Sequence, residues 1–133
     1  MLIQTILRHS RSISWFGIVG ASAALVHYIT AVTLEHGAVL TAGWANVVGF
    51  LCAFPVSYFG HLHLSFPSSG NHKRTLYRFF TVACLGFAAN QVLVLLGLHY
   101  LNLPFWLMLG IVMVLIAVST YLLSYLWAFR RTS

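Results

Sequence analysis

Acidic side chains are all but missing from this chain. Glu35 is the only Asp or Glu among 133 residues, and charged residues of both signs make up 6%. Soluble domains carry about 25% charged residues. One acid and seven Lys or Arg cannot cover a water-facing surface, while 60% of the residues are hydrophobic. That balance excludes a soluble globular domain and points to an integral membrane protein. A lone carboxylate also rules out acid–base pairs of carboxylates and carboxylate-rich metal sites, and no nucleophile stands beside a base, so catalysis is not expected. Cysteine is scarce too. Cys52 and Cys84 lie in apolar runs without close-spaced partners, so they read as small buried hydrophobes and not as zinc ligands or a disulfide. Nothing in the sequence calls for a cofactor or a metal.

The basic residues are few but placed in order. Arg8 and Arg11 precede the first apolar run, Lys73, Arg74 and Arg78 sit at mid-chain, and Arg130 and Arg131 close it. The turns near residues 35–42 and 99–104 carry none. This is the positive-inside pattern, with both termini and the middle turn cytoplasmic. It accounts for the net charge of +6 without a nucleic-acid partner. The expected fold is all-α, one domain over residues 1–133 with four transmembrane helices at about residues 13–34, 42–66, 77–100 and 105–129. Each is long enough for roughly 30 Å of hydrocarbon. Ala21, Ser22 and Ala23 resemble a signal-peptide cleavage site. The apolar run continues to Leu34, so the first segment reads as a permanent helix after a short basic arm.

The helices repeat. Residues 57–66 align without gaps on residues 120–129, pairing Tyr58 with Tyr121, Phe66 with Phe129 and Ser57 with Thr120; residues 78–82 align loosely on 14–18. The chain therefore reads as two copies of a helical hairpin, an arrangement that builds a pathway between related halves.

Polar residues inside the apolar runs are the candidates for function. His27 lies deep in the first span, where an ionisable group normally faces the protein interior. Gly17 with Ala21, and Gly20 with Ala24, allow close helix approach. In the second span Ala45, Gly49, Ala53, Ser57 and His61 recur every fourth residue as a groove of small side chains, with Asn46 beside it. Pro55 leaves the Leu51 carbonyl without its usual donor, which predicts a kink. His61 and His63, two apart, point to different sides of a helix and so do not share a metal, with or without His72. Asn90 and Gln91 form an amide pair in the third span, and Ser119, Thr120, Tyr121, Ser124 and Tyr125 make a hydroxyl-rich patch in the fourth. Pro104 pre-sets the first turn of the fourth helix, and Trp127 suits an interfacial belt.

Taken together these residues resemble the GtrA-like family of small membrane proteins. The family's opening F-x-x-V-G is matched by Phe16, Val19 and Gly20. Its tract S-F-L-L-N-R-x-W-T-F falls on residues 57–66, its R-F on Arg78 and Phe79, its third-helix asparagine on Asn90, and its closing W-x-F on Trp127 and Phe129. The likeness covers about residues 14–131. His61 and Leu62 replace the usual Asn-Arg, and Leu64 replaces the tryptophan. The resemblance implies flipping of a polyprenyl-phosphate-linked sugar across the cytoplasmic (inner) membrane for O-antigen or cell-wall polysaccharide synthesis. On that reading Lys73, Arg74 and Arg78 meet the phosphate. His27, Ser57, Tyr58, His61, Asn90, Gln91, Tyr121 and Ser124 offer hydrogen bonds to the sugar. The expected partners are the lipid-linked sugar, the bilayer, and a second copy packed through Gly17/Ala21 and Gly49/Ala53 or a glycosyltransferase. Two other readings stay open: a scaffold that anchors a glycosyltransferase without transporting, and a small multidrug-type exporter. The exporter would need His27 in place of an intramembrane carboxylate.

Overall fold

The computed structural model describes residues 2–65 and 72–128. It holds four α-helices: α1 (Leu2–His36), α2 (Ala42–Gly60), α3 (His72–Leu101) and α4 (Phe105–Ala128). A π-helical turn, His61–Ser65, extends α2. Three stretches, Ser14–His36, Ala42–Leu64 and Phe80–Leu101, are long and apolar enough to cross a membrane, and α4 adds the apolar Phe105–Ser119. The architecture is the expected all-helical one, a multi-pass membrane protein. Arg130, Arg131, Phe129 and Pro67 lie outside the described residues.

Helix ends differ from expectation in instructive ways. α1 begins at Leu2 and absorbs the basic arm, because residues 2–12 contain neither glycine nor proline to stop it. α3 likewise starts at His72 and takes in the basic residues expected to form a turn. At the far end of α1, Gly37 keeps negative φ and Ala38 takes the left-handed conformation, φ 56°. Ala38 N–H donates to Glu35 O and Val39 N–H to Leu34 O, both at 3.0 Å, which is the Schellman pairing with alanine in the place glycine usually fills. Asn102 (φ 53°) closes α3 in the same conformation. The Pro104 carbonyl then receives Leu107 and Met108 N–H and opens α4. α2 runs unbroken through Pro55. Its irregularity comes later, where His61 N–H is shared between the Ser57 and Tyr58 carbonyls as the π turn begins.

α1 packs most heavily on α2, and α3 on α4; α2 also meets α3, and α1 meets α4. The dry core lies toward the two short turns, where Ala31, Ala45, Val94, Phe105, Met108, Leu109 and Val112 meet. Leu51, Val82, Leu85, Val114 and Leu115 face outward. Lipid is as apolar as these side chains, so burial gives little drive for the helices to associate; close packing and interhelical hydrogen bonds do that work. Gly49 shows the packing: a β-carbon there would stand 2.7 Å from the His27 carbonyl oxygen and 3.1 Å from Ala31 Cβ. The stripe of small residues on α2 is therefore consumed within the chain. Gly49 and Ala53, expected to meet a second copy, meet α1 or face inward instead. Gly17 and Gly20 have nothing within 4 Å of an added β-carbon. Cys52, expected to be buried, is exposed on α2, and Cys84 is half-buried.

Candidate functional site

Below the dry core, toward the basic end, the four helices part around a cavity of about 260 Å³. Small residues make the space: Ala23 and Ala24 from α1, Ala53 from α2, Ala83 and Gly86 from α3, Ala117 from α4. Aromatic rings form the α2–α3 wall. Phe50 stacks on Phe87 with centroids 4.5 Å apart, and Phe54 meets Phe80 edge-on at 5.4 Å. Among the described residues, Ser57, His27 and Asn90 are the polar members of the lining.

His27 and Asn90 belong to a buried network at the cavity's upper end, and its hub is Asn46. The Asn46 side chain, fully buried, accepts from His27 Nε2 at 2.7 Å. It donates through Nδ2 to Asn90 Oδ1 and to Gln91 Oε1, each at 2.8 Å. Gln91 Nε2 in turn donates to the Gly43 carbonyl oxygen at 3.1 Å. Three helices are thus tied by side chains that would otherwise be unpaired polar groups in an apolar medium, each costing roughly 2–7 kcal/mol. At Gly43 a β-carbon would come to 3.6 Å from Gln91 Nε2 and from Leu95, an ordinary contact distance, so α2 and α3 are near neighbours there.

The other expected site residues are spread wider. Tyr58 is buried and lies parallel to the Phe54 ring at 6.2 Å, away from the cavity lining. His61 is buried at the π turn, where its ring stacks on Phe16 at 4.5 Å. His63 is exposed beside Phe59, so the two histidines do diverge. Arg78 is exposed on α3. It stands 12 residues, about 18 Å of helix, from Asn90. Lys73 and Arg74 lie in the first turn of α3, and Tyr121 and Ser124 in the last third of α4; their side chains are outside the described set. Among the described residues no three His, Cys, Asp or Glu gather as a metal site would require.

Two features escaped the sequence reading. Asn46 was seen only as a neighbour of the groove, although an amide in an apolar run has to find partners. The aromatic wall was missed as well, although Phe50, Phe54 and Tyr58 repeat every four residues and share one face of α2.

A family model described as GtrA/DPMS, transmembrane domain, matches residues 15–129. No curated protein and no solved structure matches the chain.

Proposed function

The chain belongs to the GtrA/DPMS transmembrane-domain family, and from that premise we propose that it translocates a polyprenyl-phosphate-linked sugar across the cytoplasmic membrane for cell-surface polysaccharide synthesis. The observation that carries this reading is the cavity: apolar on most of its wall, reached by all four helices, and closed at one end by hydrogen-bonding groups. A lipid-linked sugar has the same mixture, an apolar tail and a headgroup whose hydroxyls need partners inside the bilayer.

Arg78, with Lys73 and Arg74, captures the phosphate at the inner face, by charge attraction of the kind basic segments use on anionic lipids. His27, Ser57 and Asn90 then receive the sugar. Capture and reception are about 18 Å apart along α3, more than a single sugar phosphate spans, so they act in succession. The protein does no covalent chemistry on the ligand in this scheme. A second copy packs against the open α1 face at Gly17 and Ala21, or a glycosyltransferase does.

The test is reconstitution. Purified protein in phospholipid vesicles is expected to accelerate the crossing of a fluorescent polyprenyl-phosphate sugar. Vesicles in which it binds a glycosyltransferase but gives no acceleration would establish the scaffold role instead.

A further inference from the structure

The hydrogen-bond network has a direction, and one backbone carbonyl sets it. The Gly43 oxygen can only accept, so Gln91 must turn Nε2 toward it, which leaves Oε1 facing Asn46. Asn46 must then offer Nδ2, and both of its N–H groups are spent on Gln91 Oε1 and Asn90 Oδ1. Its Oδ1 is left for His27, and an amide oxygen only accepts, so the imidazole proton resides on Nε2. A neutral imidazole protonated there carries its lone pair on Nδ1. Asn90, with Oδ1 engaged, has Nδ2 to spare.

Neither His27 Nδ1 nor Asn90 Nδ2 has a hydrogen-bond partner among the described residues. No fully buried side-chain nitrogen or oxygen lacks a partner there either. Both atoms are therefore short of full enclosure, and both residues line the cavity. The two residues that carry this acceptor and this donor both bond to the same Asn46 side chain.

We infer that this pair binds two neighbouring hydroxyls of an uncharged sugar ring, one donating to His27 Nδ1 and the other accepting from Asn90 Nδ2, and that the cavity excludes the phosphate. A hydroxyl group both donates and accepts, so two of them match the pair. An ionised phosphate has acceptors alone and meets the Nδ1 lone pair. Among the described residues no charged side chain lines the cavity to offset its desolvation, which far exceeds that of a hydroxyl. The size agrees: about 260 Å³, a little below the ~300–1,000 Å³ of pockets for drug-sized ligands, has room for a sugar ring. The inference rests on the translocase reading only for the biological source of the sugar. The site chemistry stands by itself.

The experiment uses full-length protein in phospholipid nanodiscs, labelled with 15N-histidine, with His27 assigned by difference from His27→Gln. The expected spectrum shows His27 as the Nε2–H tautomer. Dodecyl β-glucoside is expected to shift its bare Nδ1 resonance, and dodecyl phosphate to leave it unmoved. Asn90→Leu should weaken glucoside binding about tenfold, the loss of one hydrogen bond. Gly86→Leu, where an added β-carbon meets nothing within 4 Å, should fill the cavity and abolish the shift while the tautomer stays as it was. An Nδ1–H tautomer, an equal response to the phosphate, or glucoside binding that survives Gly86→Leu would overturn the inference. Binding here with no translocation in vesicles would remove the transport reading and leave this one standing. Translocation with no Nδ1 response to glucoside would do the reverse.

Discussion

Gly49 and His27 touch where α1 and α2 cross, with the glycine's missing β-carbon replaced by the histidine's carbonyl oxygen and ring edge, 2.7 and 2.8 Å from where that carbon would be. Gly49→Ala forces backbone apart and is expected to destabilise the protein by about 1–3 kcal/mol, outweighing the roughly 1 kcal/mol that alanine gains over glycine in a helix. Unfolding in mixed detergent micelles measures it. Gly17→Ala, in open space, is the control and should stabilise slightly.

The open face of α1 is the place to test assembly. Gly17→Leu keeps the fold and should lower self-association, because bulk there holds two backbones apart. Single-molecule photobleaching in bilayers counts the copies. A wild-type protein that is fully active as a monomer would end the homodimer proposal.

Removing the anchor of the network has a different signature. Gln91→Leu frees the Gly43 carbonyl and one Asn46 N–H, at a cost of about 0.6–1.7 kcal/mol by the measured range for interhelical bonds in membranes. The larger effect should fall on His27, whose proton is no longer confined to Nε2. Nitrogen-15 spectra of the variant are expected to show both tautomers.

Capture and crossing separate by mutation. Arg78→Gln should weaken binding of the lipid phosphate and make it less sensitive to salt, since the lost term is a screened surface attraction. Asn90→Leu should slow translocation more than it weakens overall binding. Rates and affinities in the same vesicles distinguish the two, and equal effects on both quantities would refute the assignment.

Two helix ends carry strain that glycine would relieve. Ala38→Gly should raise stability by about 1 kcal/mol, because a side chain in the left-handed conformation costs roughly 1–2 kcal/mol. Asn102→Gly should gain less, since asparagine tolerates that conformation. Orientation is tested nearby: with Cys52 and Cys84 replaced by serine, Gly37→Cys should react with an impermeant thiol reagent from outside and Ser69→Cys should not.

The four helices were legible because lipid imposes a simple rule on composition: long apolar runs bounded by charges or turn residues. Their ends were less so. Nothing in Leu2, Ile3, Ile6 or Leu7 says where the helix begins, and α1 runs on to Leu2, well before the apolar span that starts at Ser14. His27, Asn90 and Gln91 stood out individually as polar groups in apolar surroundings. Their convergence on Asn46 did not, since residues 19, 44 and 45 positions apart meet only once the helices are packed. Ala53 and Ser57 line the cavity while Gly49, on the same stripe, is filled by α1. A four-residue period cannot tell these fates apart, because the helices diverge along their length.

The network leaves the bundle unevenly stiff. Among the described residues, α3 is held to α2 by three side-chain hydrogen bonds. α4 is held by one, from Tyr28 Oη to the Trp106 carbonyl at 2.8 Å, near its first turn. Further down, at Met113, Ile116 and Ala117, it meets the cavity through apolar contact. Such contact slides at little cost in lipid, whereas a broken intramembrane hydrogen bond does not reform with solvent. The α4 side of the cavity is therefore the wall that carries none of the polar hub.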